Sequence, residues 1–441
     1  MKKRFFTALI IAALLVLTPA ATPLGVAQTD SSQRSTKHQR PVEPWLFGMS
    51  THWFEPWPML NFAGLRLWGT GTLWAEMNPS QGVYDWTTLD KWIAASQNSG
   101  SHGIILTLAM TPTWASSNPT DQQCHYGPGE CDAPNDVNPD GTGTDQHWKD
   151  FVTAVATHAN GQIRFWELWN EPVNYYYWNG TFPQMVRMAK DAYTIVHRIN
   201  PNSLMLSPPN GANLPYGQHW WEKYAAQGGL QYADVIAFHG YSFPPPYTCG
   251  VYPQASAIIG HVANLRTILA QYNALDKPLW DTEASWGGVT HDCFTDQDLQ
   301  AAFLVEFYMF HRSLDIRHFY WFAYDDGDDG KLWDQGSGKL RKAGAAFNEV
   351  QKWMIGNAMT ENCSSGDKTI WTCGFKGPKG YVAQAIWDTA ETCKNGSCQT
   401  IQYPVDPKYT AYRTLDGDTI SITNGKVPIG AKPIMLENFI P

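Results

Sequence analysis

Two glutamates at the ends of apolar runs are the residues of this sequence best suited to covalent chemistry. Glu171 follows Phe165–Leu168 in the order Trp-Asn-Glu-Pro, and Glu283 follows Leu279–Thr282. Two carboxyl groups can divide a displacement between them, because a protonated one donates a proton to the leaving atom while an ionised one attacks the reacting carbon. The pair therefore predicts an acid and a nucleophile, provided that the fold brings them together.

Polar residues in other apolar runs could support this pair. Asn170 offers an amide, His239 and Tyr241 end another run, and Arg66 lies in a fourth. A cationic or hydrogen-bond-donating partner lowers the pKa of a carboxyl group, so Arg66 beside Glu283 would keep that glutamate ionised. Carboxyl groups whose pKa values are pushed apart are the usual mark of an acid–nucleophile pair.

The elements that must position these residues are short strands alternating with amphipathic helices. The apolar runs predict the strands Leu46–Ser50, Gly64–Trp68, Gly103–Ala109, Ile163–Leu168, Ser203–Ser207, Asp234–His239, Pro278–Asp281 and Arg317–Phe322. The helical patterns include Trp86–Gln97, His147–His158, Phe182–Ile199, Ala255–Tyr272, Asp296–Leu314 and Lys342–Met354. Eight such units in about 300 residues predict a (β/α)8 TIM barrel over residues 44–355. A doubly wound sheet would have a Gly-rich turn after its first strand, and the sequence has none there.

The barrel prediction places the two glutamates at one end of the fold. The C-terminal ends of barrel strands meet at a common mouth, where reactive groups are found. Glu171 after strand four and Glu283 at the end of strand seven are then expected to face each other. Because the mouth is narrow, we expect their carboxyl groups to approach ~5–5.5 Å, the spacing for direct attack.

The chain outside the barrel falls into three parts. A basic head at residues 2–4, the apolar run Phe5–Leu17 and small residues up to Ala27 predict a signal peptide over residues 1–27. This predicts a secreted or periplasmic protein with no membrane association after cleavage. Residues 28–43 predict a linker or an N-terminal strand. Residues 360–441, with short alternating runs, predict a small C-terminal antiparallel β-sandwich domain, to which the segment before Trp45 could add a strand.

Cysteine usage agrees with an exported protein. The eight cysteines are Cys124, Cys131, Cys249, Cys293, Cys363, Cys373, Cys393 and Cys398. None forms a C-x-x-C pair, and an even number in an exported chain predicts disulfides. Three pairs are close in sequence (124/131, 363/373 and 393/398), which leaves Cys249 and Cys293 for each other, although eight cysteines allow ~105 pairings.

Composition narrows the class of ligand. The net charge is −9 and there is no basic stripe, which argues against nucleic acid as a partner. The 21 tryptophans and 20 tyrosines suit carbohydrate, because the apolar face of a pyranose stacks on an aromatic ring. The tryptophans expected to contact sugar are Trp53, Trp68, Trp114, Trp178 and Trp286.

The motif Trp169–Pro172 after a strand, with Glu283 ending a later one, resembles the glycoside hydrolases of clan A. More narrowly, the sequence is similar to family 39 and neighbouring groups. The supporting segments are Gly64–Trp68, Gly82–Trp86, Thr111–Ser116 and Tyr320–Asp325. The resemblance covers roughly residues 44–355, and the C-terminal part matches only as a generic accessory β domain.

The resemblance implies a retaining O-glycoside hydrolase acting on a poly- or oligosaccharide, with Glu171 as acid/base and Glu283 as nucleophile. It implies that the substrate subsites are lined by Asn170, His239, Tyr241, Arg66, Trp321 and His52. No cofactor or metal is predicted, because the histidines lack zinc-site spacing and Asp325–Asp329 lacks the spacing of a calcium loop; calcium at that loop is left open. The alternatives are a transglycosidase with the same acids, a non-catalytic carbohydrate-binding protein, and another clan A specificity such as family 5 or 30.

Overall fold

The computed structural model describes residues 40–439 except 101–102, 243–252, 288–293, 326–328, 367–368 and 395. The predicted signal peptide and most of the predicted linker therefore lie outside the described residues. The same holds for Cys249 and Cys293, so their predicted disulfide stays a prediction. Among the described residues, no helix is both long and apolar enough to cross a bilayer.

Eight parallel strands form the barrel that the sequence predicts. They are β1 Gly48–Ser50, β2 Gly64–Leu67, β3 Gly103–Leu108, β4 Phe165–Leu168, β5 Leu204–Leu206, β6 Ile236–Phe238, β7 Leu279–Ala284 and β8 Phe319–Trp321. They pair in the order β5-β4-β3-β2-β1-β8-β7-β6. The seam between β5 and β6 is closed by a parallel bridge between Leu206 and Val235 and by the Ser207 hydroxyl, which accepts the N–H of Ala237 at 3.0 Å. The fold class is thereby confirmed.

Helices surround the barrel. They are α1 Trp74–Met77, α2 Thr87–Asn98, α3 Gln146–Ala159, α4 Phe182–Ile199, α5 Pro215–Ala226, α6 Ile258–Gln271, α7 Gln297–Ser313 and α8 Lys342–Met354. α4 shows how local sequence fixes a helix start: the Thr181 hydroxyl accepts the N–H of Gln184, whose side chain accepts the N–H of Thr181. This reciprocal cap satisfies two backbone donors that the first turn leaves unpaired.

The C-terminal strands are antiparallel, as predicted. A short hairpin, β9 Trp333–Asp334 and β10 Lys339–Leu340, precedes α8. The later strands are β11 Ala358–Ser365, β12 Ile370–Lys376, β13 Val382–Asp388, β14 Cys393–Lys394, β15 Ser397–Cys398, β16 Thr400–Pro404, β17 Ala411–Arg413, β18 Thr419–Ser421, β19 Lys426–Gly430 and β20 Ile434–Glu437. Six of them form a sheet in the order β11-β12-β13-β20-β17-β18, while β14–β15 and β16–β19 are separate pairs.

The six-stranded sheet has an apolar layer on each face. On one face, Ile386 and Leu436 cluster with Val427 and Ile429 of β19, so the β16–β19 pair acts as a small second layer. On the other face, Phe310 of α7 packs edge-on against Trp371 and Trp387. The C-terminal sheet therefore docks directly on the barrel.

Disulfides close local loops, and backbone bridges join the segment before the barrel to the C-terminal part of the chain. The structure contains the three local disulfides that the sequence predicts, 124–131, 363–373 and 393–398. Near the N-terminus, Pro41 forms a bridge with Ala358 and Val42 forms one with Ile355. The chain before the barrel thus pairs with the residue that follows α8 and with the first residue of β11.

Candidate active site

Glu283 lies inside β7 and not beyond its end. At this point β7 carries one extra residue relative to β8. Pairing runs from Asp281 opposite Phe319 to Ala284 opposite Trp321, three residues against two. Such a bulge re-aims side chains locally and is common next to active sites. The Glu283 side chain, only 9 % exposed, faces the polar residues at the mouth of the barrel.

Two donors hold the Glu283 carboxylate. Arg66 Nη1 donates to Oε2 at 2.6 Å, and the Tyr241 hydroxyl donates to Oε1 at 2.9 Å. Burial and the nearby Glu283 charge raise the pKa of Tyr241 well above its usual value, so the phenol keeps its proton as a donor. A cation and a hydroxyl donor both favour the ionised form of a carboxyl group.

Arg66 connects the barrel interior to the mouth. Its guanidinium is fully buried, and it also donates from Nε to Glu167 at 2.8 Å and from Nη2 to the Asn170 Oδ1 at 2.7 Å. Although burial lowers the pKa of Arg66, the Glu167 and Glu283 carboxylates outweigh this effect and raise it. The planar fork of arginine spreads its donors over three nitrogen atoms in fixed directions, whereas a lysine ammonium has all its donors on one nitrogen. Glu167 is itself fully buried below the mouth.

The loop after β4 presents Glu171 in an uncommon backbone conformation. Trp169 has φ 58° and Glu171 has φ 39°, both in the left-handed region. The Trp169 indole N–H donates to the backbone oxygen of Tyr177 at 2.7 Å, which secures the loop. Backbone strain of this kind is concentrated at functional sites.

Glu171 has the environment of a general acid. Burial raises its pKa to about 7, although Arg66 and the hydrogen bond from Asn174 act in the opposite direction. Asn174 Nδ2 donates to Oε2 at 2.9 Å, and His239 Nδ1 lies 2.8 Å from Oε1. The side chain is 23 % exposed, so a substrate can reach it.

His239 lies between the two glutamates. Burial lowers the pKa of His239 to about 4, so its ring is neutral near neutral pH. Its Nδ1 is 2.8 Å from Glu171 and 3.7 Å from Glu283. One side-chain oxygen of each glutamate and one nitrogen of His239 all lie within 4.8 Å of one another. The two carboxyl groups are therefore close enough for a substrate atom to contact both.

Glu171, His239 and Glu283 carry side-chain atoms of the kinds that bind metal ions. A second group of residues with such atoms lies elsewhere in the structure. At the mouth, however, Arg66 already supplies a positive charge to Glu283 at 2.6 Å, which disfavours a further cation. The second group contains Asp121, Asp132 and the disulfide-bonded Cys124 and Cys131. Cysteines in a disulfide have no thiolate to bind a metal.

His52 and the acidic loop form one rim of the mouth. The Asp325 carboxylate accepts the backbone N–H groups of His52 and Trp53 at 3.0 Å and the Thr51 hydroxyl at 2.8 Å. Burial would raise the pKa of Asp325, but hydrogen bonds with the His52 ring, the His52 N–H and the Thr51 hydroxyl lower it overall. Residues 326–328 of the loop Asp325–Asp329 lie outside the described residues, so calcium binding by this loop stays open.

The predicted sugar-binding tryptophans occupy different environments. Trp321 is fully buried with its indole N–H donated to Gly330, and Trp286, 2 % exposed, packs against it. Trp68 and Trp178 are also buried, whereas Trp53 is 61 % exposed on the rim. Trp114 is half-buried and lines a groove on the flank of the barrel instead of the mouth. Substrate contact by these residues stays a prediction.

Three tyrosines near the mouth were not singled out from the sequence. Tyr126 and Tyr177 pack edge-on against Trp68, with ring centroids 5.3 and 5.7 Å from that of Trp68. The ring centroids of Tyr176 and Tyr177 are 4.6 Å apart. Burial and the nearby Glu171 charge raise the pKa of both Tyr176 and Tyr177. Their loops follow β3 and β4 and have no strand or helix periodicity. For Tyr176 and Tyr177 the only signal was their position shortly after the Asn-Glu-Pro motif, and for Tyr126 there was no signal in the sequence.

No family model matches the chain, and no curated protein matches it. Solved structures do match. A family 39 glycoside hydrolase from the gut symbiont Bacteroides cellulosilyticus WH2 superposes with a TM-score of 0.64 at 18 % identity, over 91 % of this chain and 81 % of that one. A monomeric beta-xylosidase from Caulobacter crescentus CB15 superposes with a TM-score of 0.62 at 14 % identity, over 90 % of this chain and 96 % of that one. A family 30 subfamily 8 xylanase from Clostridium acetobutylicum superposes with a TM-score of 0.56 at 12 % identity, over 90 % of this chain and 96 % of that one.

At these identities the likeness concerns the fold. It extends over nine-tenths of the chain and therefore includes the C-terminal sheet as well as the barrel. The chain shares the fold of family 39 and family 30 glycoside hydrolases of known structure, as its sequence motifs led us to expect.

Proposed function

We propose that this protein is an exported, retaining O-glycoside hydrolase that cleaves a poly- or oligosaccharide by double displacement. The observation that carries the proposal is the asymmetry of two carboxyl groups within 4.8 Å. Glu171, with a pKa of about 7, is about half protonated at neutral pH, while Glu283 lies against an arginine and a phenol donor. A proton donor and a nucleophilic carboxyl group at short separation are what retaining hydrolysis requires.

In the first step, a Glu283 oxygen forms a bond to the anomeric carbon as the bond from that carbon to the leaving oxygen breaks. The Glu171 proton goes to the leaving oxygen, so the aglycone departs as a neutral alcohol. In the second step, the Glu171 carboxylate takes a proton from water while the water oxygen attacks the anomeric carbon. Glu283 is released as a carboxylate, and two inversions restore the original configuration.

Neighbouring residues would hold the sugar in this geometry. The Asn170 carbonyl oxygen accepts from Arg66, which turns its amide N–H donors toward other partners, and a sugar 2-hydroxyl is the group that such a donor would bind. Neutral His239 would orient the Glu171 carboxyl group. Tyr241 would keep Glu283 in place for attack.

The choice of substrates to test follows from the structural neighbours. Their names include a beta-xylosidase and a xylanase, so β-xylosides are the first candidates, with β-glucosides next. Three disulfides among the described residues support export, because such bonds persist in oxidising compartments.

The test is a hydrolysis screen with a matched inactive protein. Wild type and Glu283→Gln are incubated with aryl β-xyloside, aryl β-glucoside, xylan, xyloglucan and mixed-linkage β-glucan, and reducing sugar is measured. We expect wild type to hydrolyse at least one of them and Glu283→Gln to lose roughly 10³-fold or more in kcat. Analysis of products with added acceptor sugar separates hydrolysis from transglycosylation. Equal turnover by both proteins would refute the assignment of the nucleophile.

A further inference from the structure

A groove on the flank of the barrel lies outside the site described above. It has a volume of about 500 Å³ and runs along the exposed side of α3. His147, Asp150, Ala154 and His158 line it at intervals of three and four residues, which places them on one face of the helix. From His147 to His158 this wall extends about three turns, roughly 16 Å. The groove is therefore elongated.

Aromatic rings form much of the lining, and contacts behind them fix their positions. Tyr84 stacks on Trp86 with the ring centroids 5.2 Å apart, and Trp86 stacks on His158 at 4.9 Å. His158 Nε2 lies 2.7 Å from Asp90. The Trp114 indole N–H donates to a backbone oxygen at 2.8 Å, which anchors that ring at one end of the groove. Rings that are already fixed lose little entropy when a ligand stacks on them.

The polar groups of the groove suit a neutral, hydroxyl-rich ligand. The Asp150 carboxylate is exposed, and its Oδ1 accepts a hydrogen bond from Gln146 at 2.6 Å, which leaves its other oxygen for a ligand. The imidazoles of His147 and His158 supply further hydrogen-bonding atoms, His158 through Nδ1 because its Nε2 faces Asp90. Among the described residues that line the groove, none is a lysine or an arginine, so an anionic ligand has no counter-charge there. Pockets of 300–1,000 Å³ lined by aromatic rings with a few polar groups are typical ligand sites.

We propose that this groove is a second carbohydrate-binding site, which takes a short run of an uncharged polysaccharide chain outside the active site. Sugar rings would stack on Tyr84 and Trp114, and their hydroxyl groups would bond to Asp150 and the imidazoles. The choice of ligand rests on the proposed function, because the natural occupant is the polymer that the active site cleaves. The site would keep the enzyme on that polymer between cleavage events.

The experiment measures binding without turnover, by affinity electrophoresis of Glu283→Gln protein in native gels containing xylan, xyloglucan or mixed-linkage β-glucan. Ala154→Trp fills the groove from the exposed face of α3 without removing any contact. Tyr84→Ala removes one stacking ring. Lys149→Trp adds the same indole on α3 away from the groove and is the matched control. Each substitution is also made in the active enzyme.

We expect at least one polysaccharide to retard the protein and Ala154→Trp and Tyr84→Ala to weaken that binding about tenfold, which one lost aromatic contact can produce. Lys149→Trp should bind like the parent, and Ala154→Trp should hydrolyse a soluble aryl glycoside at the wild-type rate. Retardation that neither groove variant reduces, or no retardation by any of the three, overturns the second site. Groove-dependent retardation without hydrolysis of any substrate would leave the second site standing and refute the proposed function.

Discussion

At the scale of single residues, the proposed chemistry depends on the different environments of two glutamates. Glu171 is buried enough for its pKa to reach about 7, while Glu283 receives hydrogen bonds from Arg66 and Tyr241. The two groups are close and share His239 as a neighbour, whose Nδ1 lies 2.8 Å from Glu171 and 3.7 Å from Glu283.

Substitution of the acid tests its role through the leaving group. Glu171→Gln should lower kcat/KM on unactivated glycosides roughly 10²–10⁴-fold, because their leaving oxygen needs a proton. Aryl glycosides with acidic phenols need little protonation, so their bond-breaking step should be much less affected. Azide should restore turnover of such substrates by replacing the missing base and should yield a β-glycosyl azide. A loss of the same size for all leaving groups, without azide rescue, would contradict the role of Glu171.

The alkaline limb of the pH–rate profile tests the cause of the raised pKa. The proposed mechanism requires protonated Glu171, so kcat/KM should fall as the pH rises through about 7. The hydrogen bond from Asn174 stabilises the ionised form and lowers this pKa. Asn174→Ala should therefore move the alkaline limb to higher pH. A limb that stays in place or moves to lower pH would show that another group titrates there.

At the scale of elements, the strands were predictable because burial on both faces makes each of them a short apolar run. Each of the eight predicted strands overlaps an observed one, and the Phe182–Ile199 helix has its predicted bounds. Strand order then placed Glu171 and Glu283 on opposite sides of one mouth. The bulge in β7 was not predictable, because a bulge depends on how β7 pairs with β8 and not on the amino-acid composition of β7 alone.

Loop residues were harder to place for a physical reason. Trp114 belongs to the loop after β3, and its ring direction is set by a hydrogen bond to Asn78, a residue far away in sequence. Tyr126 and Tyr177, which pack against Trp68, lie in loops whose sequences have no repeating pattern of apolar residues. Sequence periodicity reports which face of a regular element is buried, and it carries no such information for these loops.

The contact between β6 and β7 gives a prediction at this scale. Gly240 lies between His239 and Tyr241, and its N–H donates to Asp281 at 3.1 Å. A Cβ at this position would come within 2.2 Å of an Asp281 side-chain oxygen. Gly240→Ala should therefore shift both neighbours of the glutamates and lower kcat/KM at least tenfold, a drop of the size that misplacement of reacting groups produces. Gly260→Ala, on α6 with open space around it, is the control. Full activity of Gly240→Ala would show that the site tolerates this displacement.

At the scale of the whole molecule, the C-terminal sheet stabilises the barrel from a position remote from the mouth. Trp387 is fully buried and packs against Phe310 of α7. Trp387→Ala should lower the free energy of unfolding by about 3–5 kcal/mol, as large-to-small core substitutions do. Denaturant unfolding should show the loss, while kcat below the transition should match wild type. Lost activity in a fully folded variant would mean that the sheet also supports the site.

The central claim is that Glu283 attacks the sugar directly, and the stereochemistry of the product tests it most directly. The substrate is a β-glycoside that the enzyme hydrolyses faster than the released sugar mutarotates, and proton NMR records the first anomeric signal to appear. One oxygen of each glutamate lies within 4.8 Å of the other, and retaining enzymes have carboxyl groups ~5–5.5 Å apart, in contrast to the ~6.5–9.5 Å that admits a water. We predict that the β-anomer appears first and the α-anomer follows by mutarotation. Initial release of the α-anomer would show that water, and not Glu283, attacks the substrate.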